Sequence, residues 1–155
     1  AVNVASVKQP VSSATTPTPS SPANNLTTAD SPEEAVSFQW PTRGNVLAGF
    51  DEVKNKGLDI AGKAGDPVLA AADGKVVYAG SGLRGYGNLV IIKHNNTYLT
   101  AYAHNQSLLV KEDQAIKRGQ KIAEMGNSDA DQVKLHFEIR RQGKPVDPAK
   151  YLPSN

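Results

Sequence analysis

The glycines and aromatic residues of this chain are confined to one part of it, and only that part can build a packed domain. All 13 glycines, and all of the Phe, Trp and Tyr residues, lie between Phe38 and Tyr151 in a chain of 155 residues. Residues 1–36 consist largely of Ser, Thr, Pro and Ala. A segment of this composition cannot bury enough apolar surface to fold. The sequence therefore predicts a disordered linker over residues 1–36 and one folded domain over residues 37–155.

Charge and cysteine content exclude several classes of function. The formal net charge of +2 is too small to indicate a chain that wraps around nucleic acid. The chain has no cysteine, which excludes disulfides, thiolate metal sites and a cysteine nucleophile. No apolar run approaches the roughly 20 residues of a transmembrane helix, and the first residues lack the pattern of a signal peptide. We therefore expect any membrane anchor to lie upstream of this chain.

Short apolar runs separated by turn residues predict β-hairpins in the folded part. One hairpin is predicted to join Val68–Ala72 to Lys75–Ala79 through an Asp-Gly turn. A second is predicted to join Asn88–His94 to Thr97–His104 through two asparagines. The β-branched and aromatic residues in these runs favour strands.

A third strand pair is predicted between Gln120–Met125 and Leu135–Arg140. In the second of these segments apolar and polar residues alternate, which predicts that His136 faces away from the apolar side. No segment shows a convincing helical period of ten residues, and one short helix is expected near Pro148–Leu152. The predicted fold class is a compact, mostly antiparallel β-domain.

Three shorter motifs resemble functional signatures but lack the required context. Gly80–Gly85 matches the dinucleotide-binding pattern, yet a β-run follows it where a helix and a later acidic residue are required. Gly126–Ala130 nearly matches a nucleophile elbow, but a strand follows instead of a helix. A biotinyl or lipoyl carrier, suggested by Ala72–Val77, would need a lysine hairpin that is missing at Glu124–Gly126. We interpret these segments as loops, turns and strand.

The most informative motifs are Asn55–Ile60, Ala101–His104 and Lys134–Glu138. In these residues the chain resembles the lysostaphin-type (LytM) zinc endopeptidase family, whose members cut peptide cross-links in bacterial cell walls. The resemblance runs from about residue 38 to the end and includes the flanking segments Gly65–Val77 and Gly143–Pro148. It implies a domain of the LytM type with a substrate groove.

The resemblance also implies site positions, two of which are altered here. Active family members have His-x-Gly-x-Asp and His-x-His, so Asp59 and His136 match zinc ligands and His104 matches a catalytic histidine. Asn55 replaces the first ligand histidine, and Lys134 replaces the second catalytic histidine. An amide oxygen is a weak zinc donor, and an ammonium group repels Zn²⁺ and cannot accept a proton from water. These departures predict a groove without a metal or cofactor and without hydrolytic activity.

Each of these residues also has a simpler interpretation. His104 and His136 could be ordinary strand histidines with hydrogen bonds at the surface. Asp59 could accept backbone hydrogen bonds in a turn, and Lys134 could be a solvated strand charge. His94 matches no position of the family and is expected to be exposed and incidental.

The resemblance to the degenerate branch of the family implies a non-catalytic activator of zinc-dependent N-acetylmuramoyl-L-alanine amidases, which split septal peptidoglycan during cell division. The alternatives are an active zinc endopeptidase of peptidoglycan cross-links and a passive peptidoglycan-binding module. The implied location is the periplasm, with an outer-membrane anchor upstream of this chain, and the domain is expected to be a monomer. The expected partner-binding residues are Asn55, Asp59, His104, Lys134, His136, Arg84 and Tyr86.

Overall fold

The computed structural model describes residues 36–153, so the predicted linker lies outside the described residues except for Val36, which packs against the core. The described part consists of strands and one short 3₁₀ helix, Pro148–Lys150. In chain order the strands are β1 Val46–Ala48, β2 Leu58–Ala61, β3 Pro67–Leu69, β4 Gly74–Gly80, β5 Asn88–Lys93, β6 Tyr98–Leu108, β7 Ala115–Ile116, β8 Lys121–Met125, β9 Lys134–Arg141 and β10 Lys144–Val146.

The strands pair antiparallel in one sheet, in the order β1-β2-β9-β6-β5-β4-β7, with β10 beside β9 and β8 beside β3 and β6. The 11-residue strand β6 is central, because its first half lies between β5 and β9 and its second half pairs with β8. The mostly antiparallel β-fold predicted from the sequence is confirmed. Among residues 36–153, no helix is long and apolar enough to cross a membrane.

The predicted strand pairs have mixed outcomes. The hairpin of β5 and β6 is confirmed, with Val90 opposite Tyr102. The predicted pairing of β3 with β4 is wrong, because β3 pairs with β8, placing Val68 opposite Ala123, while β4 pairs with β5 and β7. The backbone at Ala71 is already bonded elsewhere, since its N–H donates to a tyrosine hydroxyl and its carbonyl accepts from another segment.

The predicted hairpin of β8 and β9 is also wrong. These strands meet only in an isolated bridge between Gly126 and Lys134, because β9 pairs with β2, β6 and β10. The short helix expected near the end is present as the 3₁₀ turn, where the carboxylate of Asp147 accepts from the N–H of Ala149 at 3.0 Å.

The larger of two hydrophobic clusters lies on one face of the sheet and agrees with the alternation predicted for β9. Leu135, Phe137 and Ile139 are fully buried. The start and end of the domain close over this core, since the Trp40 indole N–H donates to the carbonyl of Pro153 at 2.8 Å. This contact ties the two ends of the described part together.

His94 is not exposed as expected but ends a buried hydrogen-bond chain. Its Nδ1 lies 2.6 Å from the carbonyl of Asp73 and its Nε2 lies 2.8 Å from the Thr100 hydroxyl. That hydroxyl contacts the Tyr102 hydroxyl at 2.7 Å, which accepts from the N–H of Ala71 at 2.9 Å. Because a carbonyl can only accept, the Nδ1 of His94 is the donor and each later hydroxyl donates toward the histidine. Burial also lowers the pKa of His94, which keeps the ring neutral.

Candidate functional site

The face of the sheet opposite the core forms the floor of a groove. Asp59 on β2 lies opposite His136 on β9, which in turn lies opposite Ala103 on β6. Lys134, Glu138 and Arg140 share this face with His136, because alternate residues of a strand point to the same side. Four ionisable side chains of one strand are therefore adjacent on this face.

The turn before β2 forms one wall of the groove. Asp51 and Asn55 exchange backbone hydrogen bonds of 2.7 and 3.0 Å, and the Asp51 carboxylate caps the N–H groups of Val53 and Lys54. At Gly57 a Cβ atom would collide with the carbonyl of Phe137 on β9, so only glycine allows β2 to approach β9 this closely. The glycine of the first family motif is therefore required by strand packing.

Asn55 lines the groove, but its side chain bonds to its own turn. The Nδ2 of Asn55 donates to the carbonyl of Gly49 at 2.9 Å. The side chain thus contributes to the stability of the wall.

Lys134 is paired with a groove carboxylate. Its Nζ lies 3.2 Å from Oδ2 of Asp59, and both side chains are mostly buried. Burial acts to raise the pKa of Asp59, but hydrogen bonds and charges from His136 and Lys134 outweigh it and lower the pKa. Asp59 is therefore ionised and bound to two side-chain cations, and it lies in strand β2 rather than in a turn.

His136 lies between two carboxylates. Its Nδ1 is 2.6 Å from Oδ1 of Asp59, and its Nε2 is 2.8 Å from Oε2 of Glu138. Burial acts to lower the pKa of His136, but these two acceptors outweigh it and raise the pKa to about 9. Since a carboxylate can only accept, both ring nitrogens carry protons and the ring is a cation near neutral pH.

Glu138 is fully buried, and its carboxylate is saturated with donors. Besides His136, it accepts from the hydroxyl of Tyr86 at 3.0 Å and from Nε and Nη2 of Arg140 at 2.8 and 2.7 Å. Although burial acts to raise the pKa of Glu138, the hydrogen bonds and charges of His136 and Arg140 outweigh it and lower the pKa. The carboxylate therefore stays ionised and holds Tyr86, His136 and Arg140 in place.

His104 has an unusual backbone conformation for a strand residue. Its φ of 68° lies in the left-handed region, which costs a non-glycine residue about 1 kcal/mol or more. Its N–H donates to the carbonyl of Tyr86 at 2.8 Å, and its Nδ1 donates to the carbonyl of Ser128 at 2.8 Å. Burial lowers the pKa of His104, so the ring is neutral and its Nε2 is an acceptor.

The structure brings most of the predicted site residues into one groove. They line a space of about 530 Å³ that we call the polar groove. The predicted residues in its lining are Asn55, Asp59, Tyr86, His104, Lys134 and His136. Arg84 is not part of this lining and is exposed on the loop beside it.

Sequence reasoning missed five charged residues of the lining, namely Lys54, Lys56, Asp129, Asp131 and Glu138. Glu138 could have been found, because its alternation with His136 places both on the polar face of one strand. The other four lie in turns, where no periodic pattern indicates which way a side chain points.

The residues at the zinc-ligand positions of the family do not fit a metal ion here. The Nζ of Lys134 occupies one side of Asp59, and both nitrogens of His136 are protonated donors. The Nδ2 of Asn55 donates to the carbonyl of Gly49, so this side chain could offer only its amide oxygen, a weak zinc donor. Zinc needs lone pairs from neutral histidine or free carboxylate. Within the described part of the chain, no three or more His, Cys, Asp or Glu residues are grouped to hold a metal.

The arrangement of strands and groove is that of a known class, and the sequence agrees with it. Residues 53–148 match Peptidase family M23, and the chain belongs to this family. A solved zinc-containing peptidase from Vibrio cholerae has the same fold, with a TM-score of 0.71 and 34% identity over 76% of this chain and 41% of that chain. The resemblance to the LytM family stated from the motifs is thereby confirmed.

Curated relatives point to one branch of this family. The chain is 64% identical over 118 residues to "Lipoprotein NlpD/LppB homolog" of Pseudomonas aeruginosa, covering 75% of this chain and 40% of the relative. It is 57% identical over 119 residues to "Murein hydrolase activator NlpD" of Escherichia coli, covering 76% and 31%. The chain thus spans less than half the length of these curated relatives.

Proposed function

We propose that this domain is a non-catalytic activator of periplasmic zinc-dependent N-acetylmuramoyl-L-alanine amidases, which split septal peptidoglycan during cell division. The observation that carries the proposal is the saturated ion network on the groove floor. Asp59, Lys134, His136 and Glu138 bond to one another, so the donors that a hydrolytic zinc would need are already used. The name of the Escherichia coli relative, "Murein hydrolase activator NlpD", supports an activating role.

The polar groove is the proposed contact surface for the amidase. It is concave, and it carries both acidic and basic side chains. The proposed partner-binding residues are Asn55, Asp59, Tyr86, His104, Lys134 and His136, with Arg84 on the neighbouring loop.

Activation requires that the domain bind one state of the amidase more tightly than the other. If the resting amidase is blocked, its ratio of open to blocked molecules rises tenfold for each 1.4 kcal/mol or so by which the domain prefers to bind the open state. A rigid groove suits this task, because the buried ion network fixes the positions of its charged groups before the partner arrives.

The proposed location is the periplasm, at the division septum, through an outer-membrane lipid anchor in the part of the protein upstream of this chain. The word "lipoprotein" in the name of the Pseudomonas relative supports this placement. Peptidoglycan is the second proposed partner, because an activator of a wall hydrolase acts where the wall is.

Release of dye from labelled peptidoglycan sacculi tests the function. Four samples are compared: buffer, the domain alone, a purified amidase of the same organism alone, and both proteins at equal concentration. Strong release only with both proteins is expected. Release by the domain alone would identify a zinc endopeptidase instead. Binding to sacculi without any effect on amidases from that organism would identify a passive wall-binding module.

A pair of lysine variants tests the contact surface. Lys134→Gln removes a charge from the groove, and we expect it to reduce stimulation of the amidase at least fivefold. Lys144→Gln removes an exposed charge from β10, outside the groove lining, and serves as the matched control. Equal stimulation by the two variants would show that the interface does not include Lys134 and lies outside the polar groove.

A further inference from the structure

A second concavity adjoins the polar groove on the same face of the sheet. It has a volume of about 200 Å³ and a mostly apolar lining that includes Leu83, Leu89, Ile91, Leu99 and Ala101. We call it the apolar cavity. The proposed activating function does not itself account for a cavity of this kind.

The cavity arises from a small residue in the central strand. Ala101 on β6 lies opposite Ile91 on β5 and opposite Glu138 on β9. The lining residues next to it, Ile91, Leu99 and Glu138, have longer side chains, so the short alanine side chain forms the bottom and these three form the sides. Leu83, from the loop after β4, stands at the rim and is 44% exposed.

The polar groups that border the cavity are already paired with one another. Glu138 and Arg140 form an ion pair of 2.7 Å, and the Tyr86 hydroxyl bonds to both of them. This border offers little attraction to a charged ligand. The cavity therefore favours an uncharged, apolar occupant, and apolar cavities of about 150 Å³ in proteins are large enough to bind benzene.

The cavity is adjacent to the polar groove, because Tyr86 and Glu138, which are hydrogen-bonded to each other, line both. On the groove side, Lys54 and Lys56 are exposed on the wall formed by the turn before β2. A segment lying in the groove can therefore place one side chain in the cavity while a neighbouring side chain meets these two lysines.

We propose that the apolar cavity is an anchor site for one bulky apolar side chain of the amidase segment that occupies the polar groove, and that an acidic side chain of the same segment faces Lys54 and Lys56. This inference rests on the proposed activating function. A few side chains that are buried in fitted pockets typically carry most of the affinity at a protein interface.

Two variants of the full chain test the anchor. Ala101→Leu fills the cavity from its floor, and Leu83→Ser removes an apolar group from its rim. Leu109→Ser is the matched control, because Leu109 is 49% exposed and lies outside the cavity lining. The readout is the concentration of each variant that gives half-maximal stimulation of the amidase, with the unfolding midpoint measured alongside.

We expect both cavity variants to raise the half-maximal concentration at least tenfold, equivalent to about 1.4 kcal/mol of binding, while the control is unchanged. If the wild-type chain stimulates the amidase and both cavity variants have the same half-maximal concentration as wild type, the anchor is overturned and the activating function stands. No stimulation by the wild-type chain would overturn the activating function and the anchor with it. If Ala101→Leu unfolds, the exposed Leu83→Ser variant decides the question.

Discussion

The cationic ring of His136 makes the stability of this domain fall at alkaline pH. A histidine has an ordinary pKa of 6.5, and the carboxylates of Asp59 and Glu138 raise that of His136 to about 9. A group with a raised pKa contributes its full stabilisation below the unfolded value, and this contribution is lost as the pH rises through the folded value. We therefore expect the loss to fall between about pH 6.5 and 9.5.

The size of the loss follows from the two pKa values. Each unit of difference corresponds to about 1.4 kcal/mol between the protonation states. With the two pKa values above, the contribution to the free energy of unfolding is about 2 to 3 kcal/mol at pH 7 and close to zero at pH 10. His136→Gln carries no titrating group at this position, so its stability lacks this part of the pH dependence.

Urea unfolding of wild type and His136→Gln at pH 7, 8, 9 and 10 measures the effect, followed by the fluorescence of the single tryptophan. The difference in unfolding free energy is expected to shrink by about 2 to 3 kcal/mol from pH 7 to 10. His104→Gln is the matched control. Because burial lowers the pKa of His104, the difference in unfolding free energy between wild type and His104→Gln is expected to stay constant over this pH range. A constant difference for His136→Gln would refute the doubly bonded imidazolium.

Three further predictions follow from the groove and the core. The double variant Asn55→His with Lys134→His is expected to bind Zn²⁺ in calorimetry, with an affinity that rises with pH because His136 must first lose a proton. Absence of binding at pH 8 would show that the geometry of the groove differs from that of a zinc site, and not only the two substituted residues. Tyr102→Phe leaves the buried N–H of Ala71 without its acceptor and is expected to lower the unfolding free energy by about 1 to 3 kcal/mol. Tyr78→Phe loses only an exposed hydrogen bond and is expected to cost about 0.5 kcal/mol, so equal losses for the two variants would contradict the assigned hydrogen-bond chain. Lys56→Glu is expected to weaken stimulation of the amidase, whereas Lys63→Glu, on an exposed loop outside the groove, is expected to leave it unchanged. Stimulation is titrated at low salt, where the effect of surface charges is largest, and identical curves for the two variants would show that Lys56 is not part of the interface.

Local patterns in the sequence predicted the elements better than their partners. The hairpin of β5 and β6 was predicted correctly because its two asparagines make a turn between adjacent strands. The same reasoning failed at Asp73-Gly74, where β3 instead pairs with β8, more than 50 positions later. Whether a turn closes a hairpin depends on pairings with distant strands, and no local signal carries that information.

The site was predicted as a set of positions rather than as a network. Family motifs indicated Asp59, Lys134 and His136, and the structure brings them into contact. The saturation of the Glu138 carboxylate, and hence the charge on His136, depends on which side chains from β2, β9 and the loop before β5 meet there. His94 was predicted wrongly for a similar reason, because its burial is determined by residues that are remote in the sequence.

The groove floor is built from strands that are far apart along the chain, since Asp59 and His136 are separated by 77 positions. Sheets dominated by such distant contacts close slowly, on the order of milliseconds to seconds, because the intervening chain must be ordered first. A species in which β2, β9 and β6 have not yet paired cannot present Asp59, His104 and His136 together. A partner that binds this surface therefore binds only those molecules in which the three strands have already paired.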